Sequence, residues 1–386
     1  MNDRGLSLTQ VEMLRSFLLA NISSSDRDNA IHQFDDVVKR LVNIKLTSKS
    51  KAEFEFFKLY LRGHYAENFS QNKDSSSDFI RIGKEFHRWV RDKDKEILGL
   101  HESADYVEFI SKIAYFAKQY EKINNLIAQR DTNKYLYLIV NNDYGFTLQP
   151  ALILSAIKYN DAEEIVIEKI QIVSKYLTKV LTWRIWNHWM ISQSSMESHI
   201  YTLCKQIRDS DIDTLKSILD NNPIELPNLN NAPTLNQQNK QKIKVLLSLI
   251  TEIVAKESKC ADYMLNKPNM EIEHIWSDHF EQHTDEFADK NTFAAARNSI
   301  GDLLVLPKSF NASYNDSPYS FKVEQYFEQN ILAQTLNVRK YKNNPDFLRF
   351  MHNSGLPFKP YLDFKLKSIN ERSQLYKQIL LWNWSK

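Results

Sequence analysis

Thr9-Gln-Val-Glu12 has the form of a capping box, and Val11, Met13, Leu14, Phe17 and Leu18 follow at helical spacing. The pattern predicts an amphipathic helix near the start, with Asn2 to Leu8 as the turn that feeds it. From about Asp26 to Asp220 apolar residues keep recurring at three- and four-residue intervals, as in Phe54, Phe57, Leu61 and Tyr65, or Ile165, Ile167, Ile170 and Tyr176. This predicts a helical array. Its interruptions are polar: Gln-Asn-Lys-Asp-Ser-Ser-Ser-Asp over 71–78 and Asn141-Asn-Asp-Tyr-Gly145 read as exposed loops. Trp89, Trp183, Trp186 and Trp189 sit at helical spacing and read as core rather than as platforms for stacked bases.

Between Asn221 and Asn239 the composition shifts to Asn and Pro, which favour turns and break helices. The domain boundary is placed there, with a helical domain over 1–225 and a second domain over 226–386. A helix over Lys242–Lys256 follows, with Val245, Leu246, Leu249, Ile250 and Ile253 on one face. After Met270 the pattern changes. Glu271-Ile-Glu-His-Ile-Trp276 and Asp302-Leu-Leu-Val-Leu-Pro307 are the best strand candidates. Lys308-Ser-Phe-Asn311 comes next, then a polar turn from Ala312 to Ser317 and a helix from about Pro318 to Asn330. The expected class is mainly α: a helical N-terminal array and a C-terminal α+β domain.

Composition agrees with this class, since only 7 Gly and 10 Pro in 386 residues leave few of the punctuators that all-β chains need. A net charge of +2, from 50 basic and 48 acidic residues, means that any nucleic-acid contact comes from a local patch and not from bulk charge. Cys204 and Cys260 are too few for a disulfide framework or a thiolate zinc site and read as buried thiols. The start carries charges where a signal peptide needs an apolar stretch, and no run approaches the length of a membrane span, so a cytoplasmic protein with no membrane partner is expected.

Phosphodiester hydrolysis needs a base for water, a cation to offset charge on the phosphorane and leaving oxygen, and ligands for that cation. One His and two oxygen donors can suffice. Glu273 and His274 are adjacent at the end of the first predicted strand, where a twist lets both reach one spot, and Asn311 after the second strand can bring a carbonyl oxygen there. Residues 271–322 resemble the HNH nuclease domain (His-Me finger, or ββα-metal motif) at the C-terminus of GmrSD-type modification-dependent restriction enzymes. The resemblance rests on Ile272-Glu-His-Ile275, Ile300-Gly-Asp-Leu-Leu304, Leu306-Pro-Lys-Ser-Phe-Asn311 and Lys322, in the family's order and spacing. It implies Glu273 and Asn311 as ligands of magnesium or manganese, given hard oxygen donors, and His274 as general base. Arg297, Lys308 and Lys322 are the candidate phosphate contacts, with Tyr314 and Asn315 nearby.

Asp302 stands where the family's motif carries an Asn whose amide fixes the His loop. An Asp keeps the acceptor, loses the donor and adds charge, which could raise the pKa of His274 or recruit Asp302 to the site as a catalytic group or metal ligand. Asn2 to Thr9 resembles a segment that lies inside longer relatives, downstream of a ParB-like nucleotide-hydrolysing domain whose Asp-Gly-Gln-Gln-Arg-type motif this sequence lacks. The resemblance thus implies a remnant of that region over the first 225 residues, in a fragment, in a shortened gene product, or in a chain whose NTPase half is supplied separately. His279 and His283, four apart, match the spacing of a two-histidine zinc site but lack the Glu after the first His, and read as structural or phosphate-positioning.

Three functions remain open: an endonuclease cutting double-stranded, modified DNA in anti-phage restriction; a catalytically silent module that binds DNA or a partner chain; and a nuclease acting on RNA. The first needs metal and His274, and the second needs neither.

Overall fold

The computed structural model describes residues 8–46, 50–70, 77–224, 228, 231–260, 265, 267, 269–314 and 316–386. The expected turn over residues 2–7, most of the loop over 71–78 and Asn315 lie outside these. The chain forms two compact units, one of residues 1–178 with 191–224, the other of residues 179–190 with 225–386.

The first unit is helical: α1 (Gln10–Ala20), α2 (Ser24–Val42), α3 (Ala52–Tyr65), α4 (Asp78–Lys93), α5 (Ser103–Gln129), α6 (Thr132–Asp143), α7 (Gln149–Ala156), the greater part of α8 (Glu163–Trp186), α9 (Gln193–Ile207) and α10 (Ile212–Asn221). The capping box forms as the sequence predicts. Thr9 Oγ1 accepts from the Glu12 amide at 3.2 Å, and Glu12 Oε2 accepts from the Thr9 amide at 2.7 Å. Helix α3 is central, packing on α2, α4, α5, α7 and α9. Its Phe56, Phe57, Tyr60 and Leu61 are buried, with the Phe57 ring stacked on Phe34 and Phe86 and the Tyr60 ring on Phe116. Each such side chain contributes roughly 1.5–3 kcal/mol by leaving water. Asn141 departs from the expected loop, because α6 runs through it and its side chain is sealed inside. Its amide donates to Gln149 Oε1 (2.7 Å) and Ser174 O (3.0 Å), and its Oδ1 accepts from Thr178 Oγ1 (2.7 Å). Trp89 is core as expected, and Cys204 is buried.

In the second unit, α11 (Lys240–Glu257) packs against α17 (Leu366–Trp384) and against a two-stranded antiparallel sheet. The strands are β1 (Met270–His274) and β2 (Leu303–Pro307), with Glu273 opposite Leu304 and His274 opposite Leu303. Between them lies α12 (Lys290–Arg297), and after them come α13 (Lys308–Tyr314), α14 (Tyr319–Tyr326), α15 (Ile331–Gln334) and α16 (Pro345–Ser354). Helix α13 takes the place of the expected polar turn. It follows β2 without a break and packs on both strands, with Phe310 buried against the Tyr326 ring at 5.5 Å. Trp183 and Trp186 are buried here, while Trp189 is 40% exposed and Cys260 only half-buried.

Part of the Asn/Pro-rich stretch is pinned within this unit. Leu235 N donates to Asn298 O (2.7 Å), Ile300 N donates to Pro233 O (2.9 Å), and Thr234 pairs with Ser299 as an antiparallel bridge. No helix among the described residues is long and apolar enough to cross a membrane.

Candidate active site

Val, Ile and Leu side chains fix the sheet, because Ile272 on β1 and Leu303 to Leu306 on β2 are all buried. The sheet places His274 at the last position of β1, where the chain leaves for a loop anchored by Trp276. The Trp276 ring lies 4.2 Å from His283 and 5.7 Å from Phe293, and its Nε1 donates to Phe364 O at 2.8 Å. His283 is therefore a packing residue. His279 pairs instead with Glu281 at 3.0 Å.

The Ile300-Gly-Asp-Leu motif acquires a physical reason. A Cβ on Gly301 would fall 2.0 Å from Ile369 O, so only glycine lets this turn press onto α17. That approach drives Asp302 into the interior, fully buried. Its Oδ1 accepts from Trp276 N (3.1 Å) and its backbone carbonyl accepts from Ile275 N (2.8 Å), so the acceptor side of the missing Asn still holds the His loop. Oδ2 is buried with no hydrogen-bond partner. Burial pushes the Asp302 carboxyl well above the usual carboxylate range, which outweighs the opposing pull of Trp276 N–H, Arg297 and Lys322. A protonated Asp302 is the closest isostere of the family's Asn.

His274 Nε2–H donates to Asn298 Oδ1 at 3.1 Å, which leaves the basic lone pair on Nδ1. Burial and the charge of Arg297 hold the ring down to about pKa 4, so the imidazole is neutral at pH 7. The net shift is downward, opposite to the rise that an Asp at position 302 suggested. Asn298, the C-cap of α12, did not stand out in the sequence, where a helix-ending Asn carries no distinguishing signal.

Glu273 and Lys322 meet in the core. Lys322 Nζ lies 2.7 Å from Glu273 Oε1, with the side chains 0% and 1% exposed respectively, and also donates to His274 O at 2.9 Å. Tyr326 Oη donates to the same Oε1 at 3.2 Å. Lys322, expected at a phosphate, is thus an internal counter-ion with no face toward solvent. Of the other expected phosphate contacts, Lys308 is exposed at the start of α13, and Arg297 is half-buried with Nε donating to Trp276 O at 3.2 Å. Tyr314 packs on Phe310 at 4.7 Å.

Asn311 lies inside α13, where its Nδ2 donates to Ile272 O (3.0 Å), and its Oδ1 is buried with no hydrogen-bond partner. No three His, Cys, Asp or Glu side chains come together at metal-holding distance among the described residues. The two expected donors still fit a hard cation in kind. Asn311 Oδ1 is an unsatisfied buried acceptor, and Glu273 Oε2 makes no hydrogen bond among the described residues. A cleft of about 230 Å³ opens beside the Trp276 loop, lined by Ser277, His283, Tyr319 and Lys365 but not by His274 or Asn311.

A comparison with curated proteins gives no match. Residues 219–376, which span β1, β2, α13 and the Glu273–Lys322 pair, match the family of GmrSD restriction endonucleases, C-terminal domain, so this part of the chain is similar to that domain.

Proposed function

We propose that the domain is a metal-dependent endonuclease of the HNH, or His-Me finger, type that hydrolyses DNA phosphodiesters in restriction of modified DNA. One observation carries the reading: antiparallel β1 and β2 followed at once by α13, with a neutral His274 at the end of β1 and Asn311 on the helix that packs on both strands. Glu273 and Asn311 are the residues that would hold a magnesium or manganese ion, through the two oxygens that lack hydrogen bonds. Such an ion supplies charge stabilisation to the phosphorane and the leaving oxygen.

In this reading His274 Nδ1 accepts the proton of the attacking water while Nε2–H stays on Asn298 and fixes the ring. Arg297 depresses the proton affinity of the free protein, and a substrate phosphate paired with Arg297 offsets that depression and brings His274 toward the pH at which it must work. Asp302 in its neutral form holds the Ile275–Trp276 amides. Lys308 and Arg297 grip the strand without reading its sequence.

A second reading, a silent module that only binds DNA or a partner chain, is favoured by the closure of Glu273 against Lys322. A nucleotide-hydrolysing chain is the partner that family resemblance supplies to either reading. The deciding experiment incubates the protein with supercoiled plasmid and magnesium, manganese or chelator, beside His274→Ala. Metal-dependent nicking that the variant loses supports the nuclease. Retardation of plasmid in chelator, with no cleavage under either metal, sinks it in favour of the binding module.

A further inference from the structure

The first unit contains a cleft of about 480 Å³, within the range of small-molecule sites, whose lining includes Lys45, Lys58, Arg62, Tyr120 and Phe146. Arg62 projects from α3 and is only 7% exposed. Its guanidinium is held from one side, with Nε donating to Phe79 O at 2.9 Å and its carbon 4.2 Å from the centre of the Phe79 ring. Gly83 makes the room, because a Cβ there would lie 2.1 Å from Arg62 Nη2. What the guanidinium lacks is an anion. Glu55 and Glu197 lend distant charge, yet neither comes within ion-pairing range among the described residues, and Glu55 is already paired with Lys58 at 2.6 Å.

A charge taken out of water normally arrives with its counter-ion. Here three cations and one carboxylate line one cleft, and the most buried cation has both Nη groups without a hydrogen bond. Guanidinium forks suit phosphate oxygens, and the apolar lining from Leu59, Ile127, Phe146 and Pro150 suits an organic body beside them.

We propose that this cleft is a binding site for a small organic phosphate of nucleotide size, with Arg62 as its buried anion contact and Lys58 as the second. The site lies in the first unit and is independent of the nuclease reading. Calorimetric titration of the full chain at fixed ionic strength, with adenosine monophosphate, adenosine, inorganic phosphate and acetate as probes, tests it. The expected result is saturable binding of the monophosphate, weaker binding of phosphate and none of adenosine or acetate. Arg62→Met weakens the monophosphate by roughly ten- to hundredfold, the value of one charge-assisted contact. If Arg62→Met loses the helical circular dichroism of the parent, Lys58→Met, at a half-exposed position, decides: several-fold weakening supports the site, and unchanged affinity overturns it. Monophosphate that does not saturate, or adenosine that binds as well as its phosphate, also overturns it.

Discussion

Replacing Lys322 by Met isolates the role of the core ion pair. The ammonium is fully enclosed, 2.7 Å from Glu273 Oε1 and 2.9 Å from His274 O, so the variant leaves a carboxylate inside the domain with Tyr326 Oη as its one remaining donor. Removing one partner of a buried pair costs about 3–5 kcal/mol, because the other charge stays uncompensated. For a unit of this size each kcal/mol lowers the melting temperature by roughly 2–4 °C, so a fall on the order of 10 °C is expected at pH 7. Urea unfolding followed by far-ultraviolet circular dichroism gives the free energy, and the double variant Glu273→Gln/Lys322→Met completes a mutant cycle. The double variant should recover most of the loss, since no buried charge remains. A Lys322→Met protein within about 1 kcal/mol of the parent, or a double variant no more stable than the single one, would refute the internal counter-ion.

Other consequences can be checked on the same preparations. His274 titrates near 4 in the fold against about 6.5 in an open chain, so the fold binds fewer protons between those values. Stability is full above about pH 6.5 and falls by up to about 3 kcal/mol as pH drops toward 4; His274→Gln should flatten that slope in urea titrations, and an equal slope in the variant would reject it. For Asp302 the sign is opposite, because its raised pKa makes the stabilising form the protonated one, present below about pH 4 and lost as pH climbs. Asp302→Asn should match the parent at pH 4, exceed it as pH climbs above that, and retain or raise plasmid cleavage; a collapse of cleavage in a folded variant would make Asp302 a working catalytic group. Asn311→Ala should remove metal-dependent nicking with a stability loss of about 1 kcal/mol, the value of its bond to Ile272 O, and undiminished nicking would remove it from the site.

Elements whose signal is local were legible in the sequence. Thr9 and Glu12 announce α1, Val245 to Ile253 announce α11, and both strands lie within two residues of their expected bounds. Features set by distant partners were not. Lys308-Ser-Phe-Asn-Ala-Ser-Tyr314 is a poor helix former that is helical because Phe310 and Asn311 dock on Tyr326 and β1. Asn141 looks like a turn residue until Gln149, Ser174 and Thr178 arrive around it. The order of Glu273, His274 and Lys322 can be read along the chain, but not that Lys322 faces inward, since a lysine on a short amphipathic helix is ordinarily at the surface.

The clip between residues 233–235 and 298–300 bears on how the domain can be cut and grafted. A fragment starting at Lys240 keeps Glu273, His274, Asp302, Asn311 and Lys322, and looks complete by inspection of its motifs. It discards the short edge that takes the Ile300 amide and donates to the carbonyl of Asn298, the residue on which the imidazole of His274 rests. Portability of the domain is therefore decided upstream of its motifs: a graft that begins by residue 231 carries the brace with it, and one that begins nine residues later leaves the base on an unsupported corner.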